Sequence, residues 1–331
     1  MTIREQIQQR EAETLHELAC RSTDAVHTAR THPQEDCPYR TAFQRDRDRI
    51  LHCNAFRRLK RKTQVFLSPV GDHYRTRLTH TLEVAQVART IARAMALHED
   101  LTEAIALGHD LGHAPFGHAG EAVLNNICPH GYRHYEQSVR VVEYIEKKGE
   151  GLNLTFAVRN GILCHTNRTA DTLEGNIVRV ADKIAYINHD IDDAVRAGLL
   201  RSEDLPADAI QVLGTTKTER ITAMIAAVIA HGYDSIAMTA PVQEAHDILH
   251  EFMYRSVYYN PTAKREEKKA TVLLETLYAH FRKHPEQLPE DYRAIADKTD
   301  IDRAVCDYIS GMSDGYAVDL YSELFVPKFW K

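Results

Sequence analysis

The stretch HDLGHAPFGHAGE, residues 109–121, gathers three histidines, two acids and three glycines into thirteen positions. So much polarity beside Ala114, Pro115 and Phe116 does not suit a helix that merely buries one face. Imidazole nitrogens and carboxylate oxygens form a borderline ligand set, suited to Mn, Fe, Co, Ni or Zn, with Mg less natural. Successive helical residues point about 100° apart, so His109 and Asp110 can share an ion lying between their directions. A lone His-Asp dipeptide is a weak signal, and chance produces many. His118 and Glu121 stand three apart in a stretch expected to enter a helix, AGEAVLNNI, so their side chains can meet. A carboxylate beside an imidazole favours the imidazolium, which makes His118 a candidate proton donor to a departing oxygen. The competing reading of His118 is a loop or helix-capping histidine.

The segments around this stretch have helical periodicity. In THTLEVAQVARTIARAM, His80, Val84, Val87, Ile91 and Met95 fall on one apolar stripe. A histidine on that inward stripe needs a partner. NIVRVADKIAYINHDIDDAV carries its stripe on Ile177, Val180, Ile184, Ile187 and Ile191. Asp182 lies beside that stripe, where an unpaired carboxylate would be expensive. In DLTEAIALGHD, Asp100 and Glu103 have capping-box spacing, and Leu101, Ile105 and His109 then fall in line. SVRVVEYIEKKGEG ends on a glycine stop, and SPVGDHYRT at 68–76 is expected to be a turn or short hairpin. The predicted class is all-α with at most a small β-hairpin. Residues 1–40 are expected to form an N-terminal helix and loop, 41–200 the histidine-rich core, and 201–331 a helical C-terminal extension packed on it.

Composition sets the bounds. The chain has 331 residues, 44% apolar and 27% charged, which is the balance of a globular protein. A net charge of −6 argues against a generally basic nucleic-acid-binding surface and leaves room for a local patch. Six cysteines lie far apart without a CxxC pair, which suits neither a zinc knuckle nor a disulfide framework. The N-terminus is polar, and the longest apolar run, ITAMIAAVIA at 221–230, is about half of what a bilayer span needs. The expectation is a cytoplasmic protein with no membrane partner. Arg45, Arg47, Arg49, Arg57, Arg58, Lys60, Arg61 and Lys62 form a basic stretch with three readings: a solvated helix face, a triphosphate site, or phosphate contacts to single-stranded nucleic acid. Few aromatics interleave with it, so a base-stacking platform is not supported.

The pattern His80 … His109-Asp110 … Asp182 resembles the four-ligand signature of the HD-domain metal-dependent phosphohydrolases. More specifically, the chain resembles the bacterial dGTPase-like deoxynucleoside triphosphate triphosphohydrolases. FQRDRDRILHCNAFRRLKRKTQVF (43–66), RTRLTHTLEVAQVART (75–90), HDLGHAPFGHAGE, GYRHYEQSVR (131–140) and RVADKIAYINHDIDDAVRAG (179–198) look like that family's blocks, in its order. YNPTAKREEKKA and CDYISGMSDGYA, nearer the C-terminus, look familiar too.

The resemblance implies one divalent metal per chain (Mn, Mg, Fe, Co or Ni) held by His80, His109, Asp110 and Asp182, with His118 and Glu121 as the catalytic pair. It implies Arg77 and Lys183 on the polyphosphate, Tyr186 against the deoxyribose, and Asp190 and Gln64 at the 3′-hydroxyl. Arg57 and Arg58 are the basic residues credited with substrate-proximal work, and His113 and His134 are candidates for the pocket wall. The implied reaction cuts a dNTP into deoxynucleoside and inorganic triphosphate. A homo-oligomer, often a hexamer in the family, a nucleotide activator and weak single-stranded DNA binding are the partners it suggests. Two rivals stay open. One is another HD enzyme, a 5′-nucleotidase or cyclic-nucleotide phosphodiesterase, in which His113 would help hold a second metal. The other is a nucleotide-sensing or single-stranded-DNA-binding relative. Asp192 and Asp193 read as a solvated acidic face.

Overall fold

The computed structural model describes residues 1–64, 75–258 and 261–328. Helices connected by turns make up nearly all of it. Among the described residues there is no strand, and two isolated antiparallel bridges, Arg30 with Thr155 and Thr63 with Thr76, are the β-like pairings. The all-α expectation holds. The hairpin expected at 68–76 falls largely outside the described residues; the Thr63–Thr76 bridge closes the segment on either side of it. No described helix is long and apolar enough to cross a membrane.

The chain divides into two compact units, each assembled from three stretches. The first comprises Met1–His52, Thr79–His109 and Asn153–Asn260. Its axis is the helix Leu173–Arg196, whose predicted stripe Ile177, Val180, Ile184, Ile187 and Ile191 is buried throughout. Steps of three and four residues keep those side chains on one face, and the helices Glu99–Gly108, Phe156–Cys164 and Lys217–His231 pack around it. Thr172 starts the helix by accepting the Gly175 amide at 3.1 Å. The inward stripe of Arg77–Ala94 is likewise buried at Val84, Val87 and Ile91. The helix Glu99–Gly108 begins two residues earlier than the acidic pair suggests. His98 caps it, its Nδ1 accepting the Leu101 amide, because the His98 backbone is itself fixed by the buried Glu174 carboxylate at 3.0 Å.

The second unit comprises Cys53–Leu78, Asp110–Leu152 and Pro261–Lys331. Here the helix Gly117–Ile127 buries Leu124 against Leu274 and Leu277 of Pro261–Lys283, and Val305 and Ile309 of Ile301–Ser310 complete the core. Asp307, fully buried, accepts from Arg140 Nε at 2.8 Å and Gln137 Nε2 at 2.9 Å. The glycine stop expected in SVRVVEYIEKKGEG arrives after an earlier break. The α-helix His134–Arg140 passes into a wide turn, and Lys147 and Lys148 adopt left-handed backbones at φ 52° and 59°. That bend lets Glu146 cap another segment, its carboxylate accepting the Ala55 amide at 2.7 Å and the Asn54 amide at 3.2 Å.

Gly112 is a point of very close backbone approach. A Cβ there would lie 2.1 Å from the Ser138 nitrogen and 2.6 Å from the His134 carbonyl oxygen, whereas one at Gly315 would meet nothing within 4 Å. Gly112→Ala should therefore cost about 3 kcal/mol of stability through overpacking. Gly315→Ala should be neutral or slightly stabilising. Urea unfolding midpoints of the two variants check this, and equal midpoints would refute it.

Candidate active site

In the first unit three donor groups converge. His80 Nε2 lies 3.1 Å from Asp182 Oδ1, and His109 Nε2 lies 4.0 Å from the same oxygen. The two rings meet edge-on at 5.5 Å between centroids. His80 comes from the second turn of Arg77–Ala94, His109 from the end of Glu99–Gly108, and Asp182 from the middle of Leu173–Arg196. His109 Nδ1 faces the Ala106 carbonyl oxygen at 2.7 Å, which places the proton on Nδ1 and turns the Nε2 lone pair toward the Asp182 side. A backbone carbonyl fixing the tautomer of a histidine is the arrangement that metal-binding imidazoles need.

The same helix carries the sugar-reading candidates. Asp190 is fully buried, Tyr186 is half-buried and Lys183 is exposed. His189, which sequence reasoning passed over, is fully buried, 3.3 Å from Glu83 and 3.2 Å from Asp190, with its ring edge-on to His80 at 4.8 Å. Burial alone would lower the pKa of His189; the two carboxylates outweigh it and raise the imidazolium to about 9. The solvated acidic face expected at 192–193 is corrected at one position. Asp192 is partly exposed and pairs with Lys217 at 3.2 Å, but Asp193 is buried, because its place on the helix turns it toward the packed side with Asp190.

The second unit holds the rest of the histidine-rich stretch. Arg77, itself buried, donates from Nη1 to Asp110 Oδ2 at 2.7 Å and from Nη2 to the Gln64 carbonyl oxygen at 3.4 Å. This guanidinium thus orients Asp110. His113 Nε2 lies 3.5 Å from Asp110 Oδ1, and its ring stacks on that of His134 at 4.2 Å. Burial first, and the Arg77 and His134 charges second, push His113 well below the ordinary imidazole range, so it is neutral. His118 and Glu121 do face each other, at 3.8 Å, with His118 62% exposed. Glu121 has a nearer partner in His134, whose Nδ1 is 2.9 Å from Oε2 and whose amide donates to Oε1 at 3.0 Å. Burial would raise the Glu121 carboxyl, but hydrogen bonds from His118 and His134 hold it well below the usual carboxylate range. Two groups here, Asp110/His113/His134 and His113/His118/Glu121, bring potential ligand atoms within 4.8 Å of one another.

Two residues that sequence reasoning did not single out for function brace this loop. Lys62 is buried and donates to the His113 carbonyl and, at 2.8 Å, to the Ser310 carbonyl. Burial lowers its amine to about 7. Asp314 accepts the Phe116 amide at 3.0 Å and the Thr63 amide at 2.9 Å. Arg57 and Arg58 go elsewhere. With Lys60, Arg61 and the rings of Tyr292, Tyr308 and Tyr316 they line a cavity of about 560 Å³ that includes no other predicted site residue.

Comparison with known proteins fits this arrangement. The HD domain model matches residues 77–187, and the phosphohydrolase-associated domain model matches residues 236–323. A deoxyguanosinetriphosphate triphosphohydrolase-like protein of Caldanaerobacter subterraneus is 52% identical, covering 100% of this chain and 98% of its own. Proteins of the same description from Desulfatibacillum aliphaticivorans and Clostridium perfringens are 46% and 47% identical, each over 99% of both chains. Among solved structures, a hypothetical protein from Aquifex aeolicus superposes with a TM-score of 0.50 at 20% identity, over 86% of this chain and 68% of that one, a likeness of fold.

The depressed Glu121 carboxyl carries a stability consequence. A carboxyl whose folded pKa lies below its unfolded value stabilises fully above the unfolded value and loses that contribution as pH falls through the folded one. The advantage of the wild type over Glu121→Gln should be about 2 kcal/mol near pH ~5.5 and shrink steadily below the ordinary value of 4.5. Denaturant unfolding across pH measures it, and parallel curves for the two proteins would contradict the assignment.

Proposed function

The chain belongs to the deoxyguanosinetriphosphate triphosphohydrolase-like family of HD-domain phosphohydrolases, and from that membership we propose that it hydrolyses a deoxynucleoside triphosphate to deoxynucleoside and inorganic triphosphate. The observation that carries the reading is the convergence of His80 and His109 on one oxygen of Asp182, inside the stretch matched to the HD domain. Two imidazole nitrogens and a carboxylate oxygen suit a divalent transition ion, and Asp110, bonded to His109 in the chain, is the fourth ligand of the proposal. Such an ion, when bound, lowers the pKa of water and polarises a phosphoryl oxygen.

The chain's own residues account for the remaining tasks. His118 donates a proton to the 5′-oxygen as its bond to the α-phosphorus breaks, and its exposure leaves it reachable by a nucleotide. Glu121, shared with His134, keeps the His118 ring in place. Tyr186 covers the face of the deoxyribose, while Asp190, paired with His189 at 3.2 Å, accepts from the 3′-hydroxyl with Gln64 as its companion. Lys183, exposed on the same helix, and Arg77, beside Asp110, contact the polyphosphate. Arg57 and Arg58 are proposed to contact a phosphate-bearing ligand in their own basic cavity, the substrate or an activating nucleotide. In this reading the protein works in the cytoplasm as a homo-oligomer.

A second reading draws support from Asp110, His113 and His134, whose grouping could accept another ion and make the chain a two-metal phosphohydrolase. Metal counting separates the two: one ion per chain favours the triphosphohydrolase and two favour the rival.

Incubating the purified protein with Mn²⁺ or Mg²⁺ and each dNTP, singly and mixed, should release deoxynucleoside and triphosphate. Diphosphate or monophosphate products would sink the proposal. His109→Ala and Asp182→Ala should lose both metal and turnover, whereas His118→Ala should keep its metal and lose about 10²–10⁴-fold in kcat.

A further inference from the structure

His118 follows a turn that cannot hold itself. Phe116, a residue with a large side chain, is left-handed at φ 64°, and Gly117 is left-handed at φ 60°. L-residues other than glycine avoid that region, so neighbours must enforce it. The enforcing contacts come from remote parts of the second unit. Asp314, half-buried, is the first residue of the helix Asp314–Phe325, and Ser313 caps that helix, leaving the Asp314 carboxylate for other work. One of its oxygens takes the Phe116 amide at 3.0 Å. The other takes the amide of Thr63 at 2.9 Å and the Thr63 hydroxyl.

Lys62, the residue before Thr63, makes a parallel tie by donating to the carbonyls of His113 and Ser310. Its own carbonyl accepts the Arg77 amide at 3.1 Å, so the same segment also anchors the start of the Arg77–Ala94 helix. A Cβ at Gly117 would sit 3.4 Å from the Gln64 carbonyl oxygen, which shows how closely the turn lies on residues 62–64.

We propose that Asp314 and Lys62 are positioning residues: they lock the 113–117 turn onto residues 62–64, so that the helices Ile301–Ser310 and Asp314–Phe325 hold the proton donor in register. Neither side chain needs to touch substrate. Ser310 and Asp314 both lie in the stretch matched to the phosphohydrolase-associated domain, which gives that domain a direct task at the active site. The inference rests on the reading of His118 as proton donor.

Hydrogen exchange and kinetics on the full-length protein test it. In Asp314→Asn, peptides covering 111–118 and 59–64 should exchange ~10-fold faster or more, with peptides of the Leu173–Arg196 helix unchanged. At a temperature where circular dichroism shows the variant fully folded, kcat should fall ~10–100-fold, KM should move less than ~3-fold, and metal content should match the wild type. Lys62→Met should reproduce this pattern. Thr63→Val, which removes only the hydroxyl contact, is the milder variant if either of the others fails to fold, and it should loosen 59–64 without altering metal content. Unchanged exchange in both peptides, or faster exchange with unchanged kcat, would overturn the proposal. A wild-type protein that cleaves no dNTP would instead sink the reading of activity, and the exchange measurement would then decide the lock by itself.

Discussion

A protein interior tolerates an ionised group only where another group answers it, and the histidine-rich stretch obeys that constraint throughout. Asp110 is answered by Arg77 at 2.7 Å, Glu121 by His134 at 2.9 Å, and Asp190 by His189 at 3.2 Å. In each case the side chain expected to do chemistry is oriented by a neighbour held within ion-pair distance of it. Removing one member would leave the other buried and unanswered, which costs more than the pair contributes. Chemistry and stability therefore cannot be assigned to separate sets of residues in this molecule.

Much of the fold was legible from periodicity. The stripe from His80 to Ile91 and the stripe from Ile177 to Ile191 are both buried as read, since a step of three or four residues fixes a helical face whatever the partner is. His80 also stood out as an inward polar residue, and it does meet Asp182. The capping of Glu99–Gly108 was misread because the acidic pair has the right spacing, while the winning cap depends on Glu174, a residue 76 positions from His98. Asp193 was misread because a run of acids resembles a solvated face, and local composition carries no information about which helices will pack there.

The pairings within the candidate site were opaque to the sequence. His118 and Glu121 were chosen from their spacing, yet the tighter contact of Glu121 is with His134, which helical periodicity could not reveal from thirteen residues away. Lys62 read as one more member of a basic stretch and is instead buried, with a partner 248 residues distant. Asp314 meets Thr63 across 251 residues. Contacts of that separation are set by tertiary packing, and the visible trace of them in a single sequence is a charged residue at a helix start.

Each unit is stitched from three separated stretches of chain, and the second is closed by Pro261–Lys331. Synthesis runs from the N-terminus, so residues 109–121 leave the ribosome long before Asp314 does. The left-handed turn at Phe116 must wait, unsupported, until a further 198 residues have been made, and long-range closure of this kind is slow. A nascent chain interrupted before that point carries the whole histidine-rich motif yet lacks the carboxylate that holds it. Neither unit, moreover, can be cut out as one continuous fragment, which ties the fate of the motif to the completion of the chain.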